Sequence, residues 1–263
     1  MTHGEEYWDS VAQDWQRRGP QTLWRRHCDA LHASLVQRWL PNRCLRSVLK
    51  TDLFDEAVGE GVWPLLASRA EEAVGIDISP VILEAARRKY PSMRAVRADV
   101  RRLPFPDGSF DVVFSNSTLD HFESRQDILV AMRELSRTLR LGGQLLLTMD
   151  NPANPAVWVR NLLPGRWRRR LGRVPYSVGA TCGRRWLERG LRQAGLEVLE
   201  ATAIMHCPRV LAVAAAEWME RRASPQGKER FLRLLGAFER VGGFWTRYAT
   251  GYFVALKAAK PEA

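Results

Sequence analysis

Cysteine is scarce in this chain, and its positions follow no ligand pattern. The 263 residues include four cysteines, namely Cys28, Cys44, Cys182 and Cys207. None of them forms a Cys-x-x-Cys pair or lies at the spacing from other cysteines and histidines that a zinc site requires. We therefore expect neither a disulfide framework nor a metal site, and we interpret the four thiols as small apolar side chains.

Long hydrophobic runs are also lacking. No apolar stretch approaches the roughly 20 residues that are needed to cross a bilayer. The first ten residues, MTHGEEYWDS, are acidic where a secretion signal would be basic and then apolar. These features predict a cytoplasmic protein.

Lysine is rare, although the chain is strongly basic. The formal net charge is +11, and only five of the 40 basic residues are lysine. Six arginines alternate with Trp167 and several leucines between Arg160 and Val174. This mixture is typical of segments that lie at a membrane surface, and it predicts peripheral contact with the inner face of the membrane. An anionic substrate or a nucleic acid would suit the same segment.

The sequence lacks a recognisable linker between domains, since no Ser-, Gly- or Pro-rich tract and no repeat divides the chain. We predict a single domain over residues 1–263. Its expected parts are N-terminal helices over 1–44, a cofactor-binding core over 45–150, and two insertions over 151–183 and 204–244.

Strand-forming runs alternate with helical patterns along most of the chain. Short apolar runs predict strands at RSVLK, EAVGID, RAVRAD, FDVVFSN, GQLLLTMD, LEVLEATAIMH and TGYFVALKA. Helical spacing predicts two leading helices over 7–17 and 23–40, and further helices over 61–70, 80–89, 126–139, 184–194, 209–222 and 228–241. This alternation indicates an α/β fold with a doubly wound, seven-stranded, mostly parallel sheet. Because ligands of such sheets bind beyond the carboxyl ends of the strands, we expect both insertions to form a lid there.

Acidic residues end the second and third predicted strands. Asp77 lies about 20 residues after the first loop, where a carboxylate commonly accepts hydrogen bonds from a ribose diol. Asp99 ends the third strand, beside Asp77 across the sheet. Its carboxylate is suited to an adenine amino group, while Val100 and Leu103 pack on the ring. The two acids predict an adenosine ligand.

Three stretches carry a resemblance to a known family. They are VGIDIS around Asp77, ADVRRLPFPDGSFDVVFSNSTLDHF from Ala98, and ELSRTLRLGGQLLLTMDNP from Glu134. With them the chain resembles the class I S-adenosylmethionine-dependent methyltransferases over roughly residues 45–150. The resemblance implies S-adenosylmethionine as cofactor and a Rossmann-like methyltransferase fold. It also implies that Asp77 holds the ribose hydroxyls, that Asp99 holds the adenine, and that Ser115 to Ser117 line the wall near the methionine part. We predict as cofactor-binding residues Asp77, Ile78, Asp99, Val100, Ser115 and Asn116.

Glycine is missing where this family needs it most. In VLKTDLFDE, Lys50 stands where an acid is usual, and Asp52, Phe54 and Glu56 replace the glycines that let backbone approach the cofactor. Acids here would repel a pyrophosphate but can pair with the ammonium of S-adenosylmethionine. We therefore predict that Asp52, together with Asp55, binds that ammonium. The alternative is a degenerate loop that has lost its cofactor.

Candidate catalytic residues follow the fourth and sixth strands. Methyl transfer is an in-line displacement that needs a base only when the acceptor must lose a proton. His121 lies just beyond the fourth strand, with Asp120 before it as an orienting group, and His206 ends the sixth strand. We predict that both histidines face the mouth, although a lone histidine is more often a packing residue.

Tryptophans in and beside the insertions predict an apolar lid, and the arginines predict an acidic partner. Together they favour a small-molecule acceptor with an apolar body and an acidic part, such as a lipid or polyketide. Nucleic acid is the main alternative acceptor, but the fourth strand is followed by SNSTLDHF rather than by the Asn-Pro-Pro-aromatic signature. A non-catalytic binding module on the same fold is the third hypothesis.

Overall fold

The computed structural model describes residues 5–18, 22–163 and 178–262. The strands are β1 (Leu45–Thr51), β2 (Ala70–Asp77), β3 (Arg94–Arg97), β4 (Phe110–Asn116), β5 (Leu139–Asp150), β6 (Glu197–Ile204) and β7 (Phe253–Ala259). The helices are α1 (Glu5–Arg18), α2 (Thr22–Trp39), α3 (Phe54–Val58), α4 (Trp63–Ser68), α5 (Pro80–Lys89), α6 (Arg125–Thr138), α7 (Pro155–Leu162), α8 (Arg184–Gln193), α9 (Arg209–Arg222), α10 (Pro225–Ala237) and α11 (Arg247–Thr250).

All seven strands form one sheet in the order β3-β2-β1-β4-β5-β7-β6. β7 is antiparallel to both of its neighbours, and the remaining pairs are parallel. The predicted doubly wound, mostly parallel sheet is confirmed. Because β1 and β4 are adjacent while the chain leaves them toward opposite sides, a crevice opens beyond their carboxyl ends.

The two faces of the sheet are covered by different helices. Val48 and Val112 point to one face and join the apolar cluster that includes α2 and α9. Leu49 and Val113 point to the other face and join the cluster that includes α6 and α8. Every residue of β4 is buried, as expected for a central strand covered on both sides.

Helix ends follow local capping chemistry at several positions. The Ser79 side chain accepts a hydrogen bond from the backbone N–H of Ile82, and Pro80 begins α5, as the sequence predicts. The helix expected over 61–70 begins only at Trp63, because Gly61 has a φ of +64°. α3 was not predicted, and β3 ends at Arg97 rather than at Asp99.

The two predicted insertions contribute different elements. α9 and α10 of the second insertion pack against α2. The first insertion contributes α7. Of the predicted basic segment, Arg160 to Val174, only the part up to position 163 belongs to the described residues, and the rest lies outside them. In the part of the chain that is described, no helix is long and apolar enough to cross a bilayer.

Candidate active site

One cavity lies beyond the carboxyl ends of the central strands. The tips of β1, β2 and β4 form its floor, α1 and α2 cover it, and the start of α9 closes one end. The side chains at its two ends differ in character. Lining residues include Trp8, Trp15, Trp24, Arg25, His32, Asp52, Phe54, Asp55, Asp77, Ile78, Asp99, Val100, Asn116, Ser117, His121, Met205, Arg209, Val213 and Phe253.

Left-handed backbone conformations mark three of the strand tips. Asp52 follows β1 with a φ of 64°, Ser117 follows β4 with 47°, and Met205 follows β6 with 62°. Among the described residues these are the only non-glycine positions with positive φ. Each such residue costs roughly 1–2 kcal/mol of backbone strain. All three line the cavity, so the strain lies where the chain turns away from the sheet and places a side chain in the wall.

Two carboxyl groups lie together at one end of the cavity. The Asp77 carboxylate accepts hydrogen bonds at 2.9 Å from the backbone N–H groups of Leu53 and Ser79. Burial raises the pKa of Asp77 to about 6. Burial and the nearby Asp77 raise the pKa of Asp52 well above its ordinary value. A cationic ligand would stabilise both ionised carboxylates, whereas a pyrophosphate would be repelled.

The third predicted acid, Asp99, is held by a residue that the sequence analysis missed. Arg101 Nη2 lies 2.5 Å from Asp99 Oδ2, and Nε lies 3.1 Å from Oδ1. Although burial opposes ionisation, the hydrogen bonds from Arg101 lower the pKa of Asp99. Val100 lines the cavity as predicted, but Leu103 lies in the core beneath it and not in the wall.

The residues that replace the glycine-rich loop form an internal ion pair. Lys50 Nζ lies 2.8 Å from Glu56 Oε2, and both side chains are almost fully buried. The other Glu56 oxygen accepts from the backbone N–H groups of Val62 and Trp63. A Cβ at Gly61 would lie 2.2 Å from this carboxylate, so only glycine fits there. Glu56 therefore supports the loop from inside rather than lining the cavity.

Lys50 also fixes the position of Asp52. Its ammonium donates a hydrogen bond to the Asp52 backbone carbonyl. Burial disfavours the charge on Lys50, but the carboxylates of Glu56, Asp52 and Asp55 outweigh this effect and raise its pKa. The loop therefore keeps its shape without the usual glycines, and the substitution leaves the cavity open.

Asp55 is already paired with protein groups. Arg25 Nη1 lies 2.6 Å from one of its oxygens, and Asn116 Nδ2 donates to the other at 3.0 Å. Burial opposes ionisation, but Arg25 holds the pKa of Asp55 below its ordinary value. Asn116 also lies 3.4 Å from Nδ1 of His32, whose pKa burial lowers to about 4. If the ammonium of the cofactor bound to Asp55, as predicted, it would compete with Arg25 and Asn116 for the Asp55 oxygens.

Arg25 and His32 were missed by the sequence analysis. Both lie on α2, where the helical spacing of the apolar residues gave the only signal and indicated packing. Their position in the cavity wall depends on how α2 lies across the strand tips, which no local pattern encodes.

The predicted catalytic residues have different surroundings. His121 lines the cavity, and its ring packs edge-on against Trp8 with 4.5 Å between centroids. Asp120 is buried behind it, 4.0 Å from the His121 ring nitrogen, where burial and Asp150 raise its pKa. Asp120 accepts a hydrogen bond from the Asp150 backbone and does not line the cavity.

Two predicted placements require correction. The ring of His206 does not face the mouth, because its two nitrogens lie 2.8 Å from the Thr250 hydroxyl and 3.1 Å from the Ala203 carbonyl. Ser115 does not line the wall either, since its hydroxyl is buried against Thr51 inside the sheet. The neighbours of these two residues, Met205 and Asn116, line the cavity instead.

The far end of the cavity is apolar with a basic component. Trp24, Met205, Val213 and Phe253 contribute apolar surface. Arg209 also lines this end, with its guanidinium 4.4 Å from the centroid of the Tyr252 ring.

Comparisons with known proteins agree with this picture. A family model described as a methyltransferase domain matches residues 54–147. A "probable S-adenosylmethionine-dependent methyltransferase" of Mycobacterium tuberculosis is 27% identical over 198 residues, which cover 71% of this chain and 68% of that protein. A demethylmenaquinone methyltransferase of Staphylococcus aureus is 35% identical over 113 residues, or 40% of this chain and 46% of that protein.

A solved structure extends the comparison to the fold. Geranyl diphosphate C-methyltransferase from Streptomyces coelicolor A3(2), in complex with S-adenosylhomocysteine, is 14% identical with a TM-score of 0.57, and the match covers 88% of this chain and 79% of that one. At 14% identity, this structural match is evidence for the fold alone. The evidence for the cofactor comes from the domain match and from the named relatives. The domain match, the relatives and the fold together support a class I S-adenosylmethionine-dependent methyltransferase with S-adenosylmethionine as its cofactor.

Proposed function

We propose that this enzyme transfers the methyl group to a small-molecule acceptor that has an apolar body and an acidic part. The observation that carries the proposal is the composition of the cavity at the strand tips. Its acidic end, with Asp52 and Asp77, suits the cationic cofactor, and the same cavity continues to apolar walls that include Arg209. An arginine in such a wall suits a carboxylate or a phosphate.

The cofactor would be held by groups at the strand tips. Asp77 accepts hydrogen bonds from the ribose hydroxyls, while Asp99 and Val100 contact the adenine ring. Asp52 pairs with the ammonium, and Ile78 packs against the nucleoside. In support, all five residues line the cavity. The bound cofactor supplies an electrophilic methyl group, and the protein orients the acceptor toward it.

A base acts only if the acceptor atom carries a proton. His121 is the candidate, because it lines the cavity and Trp8 packs against its ring. Asp120 orients it from behind, at 4.0 Å. The insertion over 204–244 forms the acceptor lid in this proposal, supported by Met205, Arg209 and Val213 in the wall. No described residue of the insertion over 151–183 lines the cavity, so its predicted part in the lid stays a prediction.

One named acceptor of a similar protein has the same dual character, and another shares the apolar body. Geranyl diphosphate carries an apolar chain and an anionic head, and it is the ligand in the solved structure described above. Demethylmenaquinone, named for the Staphylococcus aureus relative, is strongly apolar. We infer an acceptor of this general kind, in which apolar surface supplies most of the burial and a charged group fixes the orientation.

A two-step experiment tests the proposal. Calorimetry with S-adenosylhomocysteine should show binding by the purified chain and weaker binding by Asp77→Asn. Cofactor labelled in the methyl group is then incubated with cell extract separated into lipid-soluble, aqueous small-molecule and RNA fractions. We expect label in an acidic, lipid-soluble product. Label in RNA would refute the acceptor class, and lack of binding by folded protein would refute the cofactor site.

A further inference from the structure

Exposed large apolar side chains are concentrated on one part of this protein. Twelve such side chains occur among the described residues, and ten of them belong to α7 or to residues 210–245. The most exposed is Trp245, at 91%. We call the ten residues the aromatic face; they are Trp158, Val159, Leu162, Val210, Leu211, Trp218, Leu234, Phe238, Phe244 and Trp245.

Hydrogen bonds bring the segments of the aromatic face together. Arg160 of α7 donates to the Tyr252 hydroxyl at 2.9 Å, and Arg209 at the start of α9 stacks on the same ring. Glu239, which follows Phe238, accepts from the backbone N–H groups of Met205 and His206 at 3.1 and 2.9 Å. The end of α7, the start of α9 and the segment after α10 therefore lie near one another.

The charges around the aromatic face are mostly of one sign. Between positions 204 and 250, one acidic residue, Glu229, is exposed, and it is paired with Arg26. Five arginines in the same span are exposed: Arg221, Arg222, Arg230, Arg233 and Arg240. Trp218 and Arg222 lie together, with 5.7 Å between the guanidinium and the ring. This surface is complementary to an anionic partner.

We propose that the aromatic face docks on the surface of an anionic lipid bilayer. Aromatic and aliphatic side chains enter the boundary between headgroups and acyl chains, and the arginines contact the lipid phosphates. Met205, Arg209 and Val213 line the cavity beside this face. Docking would therefore hold the apolar end of the cavity against the membrane, where an apolar acceptor is dissolved.

Vesicle flotation tests the proposal without any methyl transfer, so its result is independent of the proposed reaction. Vesicles of phosphatidylcholine alone are compared with vesicles containing equal parts of phosphatidylglycerol. We expect at least tenfold stronger binding to the anionic vesicles, weakened by 0.5 M salt. The double change Phe244→Ser and Trp245→Ser should reduce this binding at least tenfold.

Leu141→Ser is the matched control, because Leu141 is 59% exposed and lies on β5 outside the aromatic face. It should bind anionic vesicles as the unchanged chain does, and thermal melting checks that both variants fold. The proposal is refuted if the unchanged chain shows no preference for anionic vesicles, or if the double variant binds them equally well. It is also refuted if the double change only converts a dimer into a monomer in size-exclusion chromatography.

Discussion

Replacing Lys50 by methionine should strongly destabilise this protein, although the two side chains are similar in length. The change leaves the Glu56 carboxylate buried without its partner at 2.8 Å. It also removes the hydrogen bond from the Lys50 ammonium to the Asp52 carbonyl. The first loop is therefore expected to lose the charge balance that substitutes for its missing glycines.

Magnitudes for related changes set the expected size. Removing one partner of a buried ion pair typically costs about 3–5 kcal/mol, a large part of the roughly 5–15 kcal/mol by which a domain is stable. At about 2–4 °C per kcal/mol for a chain of this size, Lys50→Met should lower the melting temperature by roughly 6–20 °C. Adding Glu56→Gln to Lys50→Met removes the unpaired negative charge of the buried carboxylate. The glutamine still offers an oxygen that accepts hydrogen bonds from the N–H groups of Val62 and Trp63. The double variant should recover much of the loss.

Thermal and urea unfolding of the single and double variants measure this coupling. Arg88→Met is the control, since Arg88 and Glu84 form an exposed pair on α5 that should contribute less than about 1 kcal/mol. If Lys50→Met costs no more than Arg88→Met, or if the double variant is no more stable than Lys50→Met, the Lys50–Glu56 pair does not support the loop as argued.

Three further predictions concern the cavity. Burial raises the pKa of Asp77 from 3.8 to about 6. The protonated carboxyl therefore stabilises the fold in the absence of ligand, and this contribution to stability is complete below about pH 4 and is lost as the pH rises through 6. The cationic cofactor binds the ionised Asp77 carboxylate, so calorimetry should show tighter binding at pH 7.5 than at pH 5. Binding at pH 5 should release protons, and Asp77→Asn should reduce this release. A cofactor affinity that is independent of pH would contradict the prediction. His121→Ala should lower turnover by roughly a hundredfold with little change in cofactor affinity if a base is needed, whereas His206→Ala should cost about 1–3 kcal/mol of stability without changing turnover per folded molecule. Arg209→Met should raise the KM of an acidic acceptor about tenfold and leave that of its neutral ester unchanged, and equal effects on both would exclude a charge contact.

The sheet and its acidic tips were predictable from the sequence because they depend on local signals. Alternation of strands and helices sets the topology, and parallel strands present their carboxyl ends at one edge. Asp77 and Asp99 follow strands that are recognisable from short apolar runs, so their placement at the cavity required no knowledge of long-range contacts. Ile78 and Val100, the next residues in the sequence, line the cavity as predicted.

Side-chain direction at the strand ends was less predictable. Successive residues of a strand point to opposite faces, so a single left-handed residue changes which neighbour reaches the cavity. Met205 takes that conformation, and His206 then turns toward Thr250 and Ala203. Likewise Ser115 lies inside the sheet while Asn116 lines the wall.

Pairings between distant segments were not predictable either. Arg25 and Asp55 meet only because α2 crosses the tip of β1. Glu56 reaches Lys50 because α3, which was not predicted, follows the tip directly. Both ion pairs depend on tertiary geometry, and the single sequence carries no local pattern for either.

The three left-handed strand tips, Asp52, Ser117 and Met205, have a practical consequence for protein engineers. A campaign for heat tolerance would propose glycine at each of them, since glycine relieves the backbone at no steric expense. Every such exchange would also delete a side chain that lines the cavity. Selection for thermal stability and selection for a changed substrate preference should therefore favour different residues at these three positions. Ser117 is the first position at which to test glycine, because it has the smallest of the three side chains.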